Sequence, residues 1–562
     1  MSEALRDPKQ WWVGQVLYQA YPRSFMDSDG DGVGDLRGVI DRLDHLAWLG
    51  IRALWLSPIT VSPNADFGYD VADYYDIDPS LGTLADFDAL VAAADARGIG
   101  IVMDLVPNHT SIEHPWFEAS RSSRDNPKRD WYVWADPGPD GAAPNNWVSV
   151  FGGGAWTFDE HTGQYYLHNF LDEQPDLNWW NEEVRDQFDR IFKYWFDAGV
   201  AGFRIDVAHM VIKDRGLRDN PAATESDSPM EQMRGQRQEF NSLRPEVHEI
   251  HRRWRAVADS YDPPKLLVGE TFVEQLDDLF PFFGDGGDEL HLDFNIPFAH
   301  APFEAATLGD MITRTEAAMP ALGTPVWVGS NHDISRFPTR WAGGDPARAR
   351  CALMMLLTLR GTTVLYEGDE IGMVDTDVPR EELVDPVGIR FYPYAGRDPV
   401  RTPMQWANVP GGGFTAEGVA PWLRFGDLTY NVADQRDDPH SFLTLTRDLI
   451  ALRTSTRDLA TGAWQAVVAP VDVLAYRRGD KTVVALNLSE APAIVEIGSG
   501  SVLISTNRAR DGESVAGPVG LLPNEGVVVT TAELPEATNA LPSSRRAGAS
   551  GAHELPEPLI GD

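Results

Sequence analysis

The chain has 562 residues and a formal charge of -38 at pH 7. The chain is too long to fold around one small hydrophobic core, so we expect a large domain with one or two smaller ones. The acidity argues against a nucleic-acid partner, because a phosphate-binding surface needs a dense basic patch, and a neutral small molecule is the easier partner to accommodate.

Short β-rich runs alternate with amphipathic helices along the first two thirds of the chain. The predicted strands are Gln15–Tyr21, Ile51–Leu56, Ile99–Val106, Val200–Asp206, Lys265–Gly269, His291–Phe294, Pro325–Gly329 and Thr362–Tyr366. The predicted helices are Leu36–Leu49, Leu84–Arg97, Glu182–Ala198 and Ala347–Leu359. This alternation predicts an α/β fold, a parallel (β/α)8 TIM barrel.

The alternation is interrupted once and ends before the C-terminus. Residues 109–174 are rich in Trp, Gly and Pro and too long for an ordinary loop, which predicts a small domain inserted after strand 3. The barrel would then comprise residues 1–108 and 175–460. Strand-like segments without long helices predict a C-terminal antiparallel β-sandwich over residues 461–533. Residues 534–562 have little to bury and are predicted to be a disordered tail.

The cysteine count and the hydropathy of the sequence indicate where in the cell the protein is located. The single cysteine, Cys351, excludes an internal disulfide, and a reducing cytosol is the default. The first residues, MSEALRDPKQWW, lack the basic and apolar segments of a secretion signal. The most apolar helical run, Cys351 to Leu359, is about half as long as a membrane span. We therefore expect a cytoplasmic monomer or homodimer without membrane contact.

Polar side chains stand at the C-terminal ends of four predicted strands. The motifs DLVPNHT, GFRID, VGET and VGSNHD supply His109, Arg204, Asp206, Glu270, His332 and Asp333. In a barrel these ends meet at one rim, where catalytic groups gather from several strands. Each residue alone has a structural explanation, such as an ion pair between Arg204 and Asp206 or a helix start at Glu270. Together they predict one site.

Two carboxyl groups in different environments are what cleavage of a glycosidic bond requires. Arg204 and Asp206 lie on one face of a strand, so Arg204 would keep Asp206 ionised for attack on an anomeric carbon. Glu270 has no cation beside it in the sequence and follows an apolar strand, so burial would keep it protonated as the acid/base. Asp333, His109 and His332 would hold sugar hydroxyls and stabilise oxocarbenium-like charge. These residues do not choose between retention and inversion of configuration, since that depends on the carboxyl separation.

These motifs, in this order, resemble the four conserved regions of the α-amylase family, glycoside hydrolase family 13. QPDLNW, residues 174–179, resembles the region that marks its oligo-1,6-glucosidase and α-glucosidase branch, and DFGYDVADY, FGGGAW and GRDPVRTPMQW also match. The resemblance implies a retaining enzyme with Asp206 as nucleophile, Glu270 as acid/base and Asp333 as transition-state stabiliser. It also implies a glucose pocket lined by Asp66, Tyr69, His109, Arg204, His332 and Arg401, with Phe151 and Phe170 as aromatic walls.

The loop MDSDGDGVGDL, residues 26–36, alternates aspartates with glycines. Carboxylates on a tightly folded Gly-rich loop can surround a hard cation with oxygen ligands, although a solvated acidic turn is the alternative. The family resemblance implies a structural Ca²⁺, with Mg²⁺ as the other option. Its ligands would be Asp27, Asp29, Asp31 and Asp35 with the carbonyl of Val33.

Specificity is predicted from the residues around Asp206 and from one long insertion. Val207 follows Asp206, where relatives that accept α-1,6 bonds tend to carry valine. Residues 212–255 form a charged insertion expected to wall the far side of the pocket, which favours an exo-acting α-glucosidase on disaccharides and short oligosaccharides. His209 could either pack the loop or contact substrate.

Three alternatives to hydrolysis use the same nucleophile with a different acceptor: a transglucosidase, a sucrose hydrolase or a trehalose synthase. A catalytically silent interaction protein of this fold would need a membrane anchor and would lack the catalytic carboxylates. This sequence keeps all three carboxylates, at Asp206, Glu270 and Asp333. We therefore expect an enzyme.

Overall fold

The structure, a computed structural model, describes residues 10–393 and 396–531. Its central sheet has eight parallel strands, which are β1 (Val16–Ala20), β2 (Ala53–Leu56), β3 (Gly100–Leu105), β4 (Gly202–Ile205), β5 (Leu266–Gly269), β6 (Leu292–Asp293), β7 (Val326–Val328) and β8 (Thr362–Tyr366). Their hydrogen-bonded order is β6-β5-β4-β3-β2-β1-β8-β7, the order of a barrel. The eight predicted strands and the α/β barrel class are confirmed. In the described part of the chain no ladder joins β6 to β7, two of the shortest strands.

Helices cover the outside of the sheet. The longer ones are Leu36–Leu49, Leu84–Asp95, Pro115–Ser122, Glu182–Asp197, Val247–Asp259, Ala305–Ala318, Pro346–Thr358 and Phe442–Ser455. Shorter helices are Pro22–Phe25, Pro229–Arg234, Ile296–His300, Phe337–Arg340, Pro386–Phe391, Val432–Gln435 and Arg457–Thr461. The four predicted helices are present with ends that differ by at most two residues. The described residues contain no helix that is both long and apolar enough to cross a membrane.

The helix Glu182–Asp197 shows why these segments are helical. Its N-cap residue, Asn181, accepts a hydrogen bond from the backbone N–H of Glu183, which satisfies one of the free donors of the first turn. Its buried residues Val184, Phe188 and Ile191 recur at spacings of four and three, so they form one apolar face. Phe192 and Phe196 of the same helix contact Phe203 of β4, with ring centroids 5.1 Å and 5.2 Å apart.

Two segments between barrel strands form small antiparallel sheets. A hairpin of Thr60–Val61 and Asp73–Ile77 follows β2, where the sequence analysis placed no strand. Within the predicted insertion 109–174, the strands Trp134–Ala135, Gln164–Leu167 and Trp156–Asp159 form one sheet in that order. Both lie on the loops that follow β2 and β3, which places them at the C-terminal end of the barrel.

The C-terminal strands are antiparallel, as predicted. They are β9 (Trp464–Ala466), β10 (Val473–Arg478), β11 (Thr482–Asn487), β12 (Ala493–Glu496), β13 (Gly500–Ser505), β14 (Ser514–Val515), β15 (Pro518–Leu521) and β16 (Gly526–Thr531). One sheet has the order β9-β10-β11-β16-β13-β14, and β12 pairs with β15. The predicted segments WQAVVAP, VLAYRR, TVVALNL, AIVEI, SVLIST and GVVVTT correspond to the other six strands, and the short strands β14 and β15 were not predicted. The predicted tail, residues 534–562, lies outside the described residues.

Close packing of β4 against β5 depends on Gly202. A methyl group at Gly202 would lie 2.5 Å from the Cβ of Leu266 and 2.6 Å from its carbonyl oxygen. If β4 and β5 moved apart, Arg204 on β4 and Glu270 at the end of β5 would be displaced. Gly202 is therefore required by space and not by its backbone conformation.

We predict that Gly202→Ala lowers the free energy of unfolding by about 1–3 kcal/mol, because overpacking between two central strands cannot relax. Thermal unfolding measures this loss. The matched control is Gly286→Ala, since Gly286 is exposed and has no atom within 4 Å of an added methyl group. Equal stability of the two variants would contradict the prediction.

Candidate active site

Arg204, on β4 and fully buried, is the centre of the polar cluster at the barrel rim. Its Nη1 lies 2.8 Å from Asp104 Oδ1 and 2.8 Å from Asp206 Oδ1, and its Nη2 lies 2.5 Å from Glu270 Oε1. Arg204 and Asp206 therefore share a face, as strand alternation predicts. The three carboxyl groups come from β3 and from the ends of β4 and β5, which are neighbours in the sheet.

The charges of these groups depend on one another. Burial raises the pKa of Asp104 to about 7 and raises the pKa values of Asp206 and Glu270 above their ordinary range, while Arg204 opposes each shift. Two expectations from the sequence are therefore corrected: Arg204 does not hold the pKa of Asp206 low, and Glu270 does have a cation beside it. The structure differs because Val268 pairs in register with Arg204, so Glu270 at the end of β5 reaches the same guanidinium. Because one positive charge faces three carboxyl groups, these three groups together favour keeping at least one proton.

The residue after Asp206 has an unusual backbone conformation. Val207 has a φ of 37°, in the left-handed region that β-branched residues rarely adopt. Its N–H donates to Glu270 Oε2 at 3.3 Å, and the N–H of Ala208 donates to the carbonyl oxygen of Glu270 at 3.0 Å. Strain of this kind persists only where surrounding contacts fix the backbone, and it concentrates at functional sites. Here it links the turn after Asp206 to Glu270.

Asp333, after β7, lies among cationic and imidazole groups. Its Oδ1 accepts a hydrogen bond from Arg401 Nη2 at 2.6 Å and lies 3.7 Å from Arg397 Nη1, while its Oδ2 lies 3.3 Å from His332 Nε2. Although burial opposes the shift, His332, Arg401 and Arg397 lower the pKa of Asp333 below its ordinary value. Its side chain is 31% exposed against 8% for Asp206, so it is the carboxylate most open to a ligand.

Tyr69 connects the Asp333 side of the cluster to the Arg204 side. Its hydroxyl lies 2.6 Å from His332 Nε2 and 3.1 Å from Asp104 Oδ2, and its ring stacks on that of His332 at 5.3 Å. The Nε2 of His109 lies 3.0 Å from the carbonyl oxygen of Tyr69. Burial lowers the pKa of His109 to about 4, so His109 is neutral near pH 7.

The remaining predicted pocket residues border the same cluster. Asp66 Oδ1 accepts a hydrogen bond from Arg397 Nη2 at 2.6 Å. The rings of Phe151 and Phe170 lie 5.3 Å apart, and Phe170 lies 5.1 Å from His109. The structure thus brings together every catalytic and pocket residue that the sequence analysis named.

Two charged residues of the cluster, Asp104 and Arg397, were not predicted from the sequence. Asp104 was visible as a lone carboxylate within the apolar strand GIVMDL, and it pairs in register with Arg204. Arg397 lies within the quoted motif GRDPVRTPMQW, but only Arg401 was selected there. No local pattern shows that Arg397 contacts Asp66 and Asp333, because these residues are far apart in the chain.

The acidic loop brings together three of its four predicted carboxylates. Oxygens of Asp27, Asp29 and Asp35 lie within 4.8 Å of one another, and Asp31 is outside this group. Asp31 Oδ1 instead accepts a hydrogen bond from the N–H of Val33 at 2.8 Å. Desolvation and the nearby Asp31, Asp35 and Asp27 raise the pKa of Asp29, which is exposed, whereas, against the effect of burial, hydrogen bonds from Thr415 and backbone N–H groups lower the pKa of Asp27.

The long insertion packs on the domain inserted after β3. Asn145 Nδ2 donates to the carbonyl of Leu217 at 3.0 Å, and Trp147 Nε1 donates to that of Arg218 at 2.8 Å. His209, which is 4% exposed, accepts a hydrogen bond at Nδ1 from the N–H of Phe272 at 3.3 Å. These contacts favour the first of the two predicted roles of His209, packing of the loop, over contact with substrate.

Carboxyl groups gathered at the C-terminal rim of a barrel can supply the nucleophile and the acid/base that cleavage of a glycosidic bond requires. Residues 19–462 match the family model described as the α-amylase catalytic domain, and the chain belongs to this family. It is therefore a glycoside hydrolase.

Similar proteins and structures cover nearly the whole chain. The probable α-glucosidase of Rhizobium meliloti is 41% identical over 513 residues, 88% of this chain and 92% of that protein. The oligo-1,6-glucosidase of Heyndrickxia coagulans is 39% identical over 86% of this chain and 92% of that protein. The crystal structure of an α-glucosyl transfer enzyme has a TM-score of 0.86 and 41% identity, covering 93% of this chain and 99% of that one. Trehalulose synthase from Pseudomonas mesoacidophila MX-45 has a TM-score of 0.83 and 31% identity, covering 92% and 99%.

Proposed function

We propose that the protein is a retaining, exo-acting α-glucosidase that releases terminal α-linked glucose from disaccharides and short oligosaccharides. The observation that carries this proposal is the contact of one guanidinium, that of Arg204, with both Asp206 and Glu270. Two carboxyls held by the two ends of one guanidinium stay close together, and retaining glycosidases need a shorter carboxyl separation than inverting ones.

The reaction would take place in two displacements. Asp206 attacks the anomeric carbon, the bond to the leaving oxygen breaks, and Glu270 gives its proton to that oxygen. Glu270 then takes a proton from water, whose oxygen attacks the anomeric carbon and releases glucose from Asp206. Burial raises the pKa values of both Asp206 and Glu270, so the group can hold the proton that the acid role needs, and the family resemblance assigns that proton to Glu270.

The groups around Asp333 would bind the sugar. Asp333 is the most exposed of the three carboxylates, and Arg401 and Arg397 keep its pKa low, so it remains an anion that accepts hydrogen bonds from sugar hydroxyls. Its charge also opposes the positive charge that develops on the ring in an oxocarbenium-like transition state. Tyr69 and the rings of Phe151 and Phe170 would provide the apolar sides of the pocket.

The preference for short substrates rests on the insertion 212–255. Its contacts with residues 145–147 join it to the domain inserted after β3, so the two segments form one wall beside the pocket. An endo-acting enzyme needs an open cleft through which a long chain can pass. A continuous wall favours a pocket that accepts one chain end.

A second candidate function is transfer of the glucosyl group to a sugar or alcohol in place of water. The similarity to an α-glucosyl transfer enzyme and to a trehalulose synthase supports it. The two functions share the first displacement and differ in the acceptor of the second. A trehalose synthase would differ in the same way, whereas a sucrose hydrolase would keep water as the acceptor and differ in the leaving group. A cytoplasmic location and a monomeric or homodimeric state stay predictions.

We also propose that the acidic loop binds a structural Ca²⁺ or Mg²⁺ through Asp27, Asp29 and Asp35. The convergence of their oxygens supports this. Asp31 and the Val33 carbonyl stay predicted as further ligands, and Asp31 Oδ1 would have to give up its bond to the Val33 N–H. A bound cation would offset the negative charge of the loop and hold it against the first barrel helices.

We predict that Asp206→Asn abolishes hydrolysis of p-nitrophenyl α-glucoside, because an amide cannot form the glucosyl ester. The wild-type enzyme should release α-glucose, observed by NMR before mutarotation, and should be labelled at Asp206 by a fluorinated glucosyl fluoride. Circular dichroism and thermal unfolding of the variant check its fold. Substantial residual activity, or β-glucose as the first product, would refute the assignment.

We predict that kcat/KM falls with substrate length, by roughly tenfold or more from maltose to maltoheptaose, because the wall excludes longer chains. A product profile on maltose, isomaltose, sucrose and trehalose would give the preferred linkage, and the ratio of free glucose to new oligosaccharides would separate hydrolysis from transfer. Higher efficiency on maltoheptaose would contradict an exo-acting pocket.

We predict that EDTA lowers the melting temperature and that added Ca²⁺ restores it, since a ligand that binds only the folded state stabilises by about 2.7 kcal/mol at 100 times its Kd. Asp27→Ala should remove this response. Asp125→Ala is the control, because Asp125 is an exposed aspartate outside the loop. An unchanged melting temperature in wild type after full chelation would count against the metal.

A further inference from the structure

The turn after Asp206 is held from outside as well as by Glu270. The ring of His251 makes a hydrogen bond from Nε2 to the carbonyl oxygen of Ala208 at 3.0 Å. The N–H of Leu243 donates to the carbonyl of His209 at 3.0 Å. These contacts come from the insertion and its closing helix, so a segment outside the barrel strands fixes the strained backbone at Val207.

His251 lies on the helix Val247–Asp259 and is fully buried. Its ring packs against Trp254 and Phe282, with ring centroids 5.4 Å and 5.6 Å away. On its other side, Nδ1 lies 3.8 Å from Glu289 Oε2 and has no hydrogen-bond partner within the described residues. The ring therefore has one directional contact, and that contact is with Ala208.

The protonation state of His251 follows from this geometry. A carbonyl oxygen can only accept, so the proton must be on Nε2. Burial and the neighbouring His248 lower the pKa of His251 to about 3, so the ring is neutral near pH 7. Glu289 is 2% exposed and is already held by His248 and Arg252, at 2.7 Å and 2.8 Å. His251 is thus a fixed neutral donor aimed at the turn.

We propose that His251 is a positioning residue for the nucleophile: its bond to Ala208 keeps the turn at Val207 strained and so holds the Asp206 carboxylate in line for attack. This inference rests on the proposed function, in which Asp206 is the nucleophile. Without the bond, the carbonyl of Ala208 would be buried and unpaired, and the backbone between Asp206 and Ala208 could relax. Apart from Arg204, the groups proposed to bind the sugar lie on other strands and loops and would stay in place.

The test compares His251→Leu with His251→Gln, whose amide nitrogen can replace Nε2 as donor. For His251→Leu we expect kcat on p-nitrophenyl α-glucoside to fall by roughly 10- to 100-fold, because small displacements of reacting groups have effects of this size, with KM and inhibition by glucose changed less than about twofold. His251→Gln should recover most of the lost kcat. If His251 only filled space, His251→Leu and His251→Gln would have similar kcat values.

His248→Leu is the matched control, since His248 lies on the same helix and contacts Glu289 but not Ala208. Its kcat should stay within about twofold of wild type. If His251→Leu does not fold, His251→Asn, whose donor is shorter, takes its place and should lose the kcat that His251→Gln keeps.

Three results would overturn the positioning role: wild-type kcat in His251→Leu, equal loss in the leucine and glutamine variants, or an equal loss in His248→Leu. Asp206→Asn separates this failure from that of the proposed function. If Asp206→Asn is inactive while His251→Leu has full kcat, only the positioning role fails. If Asp206→Asn stays active, the nucleophile assignment fails first.

Discussion

The acidic cluster at the end of β4 and β5 depends on one buried cation that contacts three carboxyl groups with a single positive charge. Arg204 contacts Asp104, Asp206 and Glu270, and none of these could be buried alone without a large desolvation cost. The barrel makes this arrangement possible, because adjacent parallel strands place their C-terminal residues at one level. Removing the guanidinium would leave three unpaired acids in the interior, so the fold and the chemistry of this site share a single requirement.

The second constraint is the backbone of the turn that follows β4. A valine with positive φ needs neighbours that prevent relaxation, and here they come from both sides, from Glu270 and from His251. The insertion 212–255 therefore has two roles in our interpretation. It forms a wall beside the pocket, and the helix at its end supports the turn. Substrate length and nucleophile position would then be linked through one segment.

Much of this was predictable from the sequence, for identifiable reasons. Strands and helices alternate regularly along the chain, so the barrel and its eight strands can be predicted from the local sequence pattern. The rim residues follow because catalytic groups stand directly after strands. Arg397 was missed because its contacts are long-range, and β14 because a two-residue pairing leaves no local signature. The strand β15 was missed because its segment PVGL contains Pro and Gly, which are unfavourable in strands. The sharing of Arg204 between Asp206 and Glu270 depends on strand register, which spacing in the sequence does not give.

The contact of the two Arg204 guanidinium nitrogens with Asp206 and Glu270 affects how charge moves during the reaction. In the first displacement of our proposal, Asp206 gives up its negative charge to a covalent bond at the moment when Glu270 acquires one by losing a proton. The anion therefore passes from one nitrogen of the guanidinium to the other, over a few ångströms, and the total charge beside it is constant. An interior that conserves its charge through the step needs no solvent reorganisation around it.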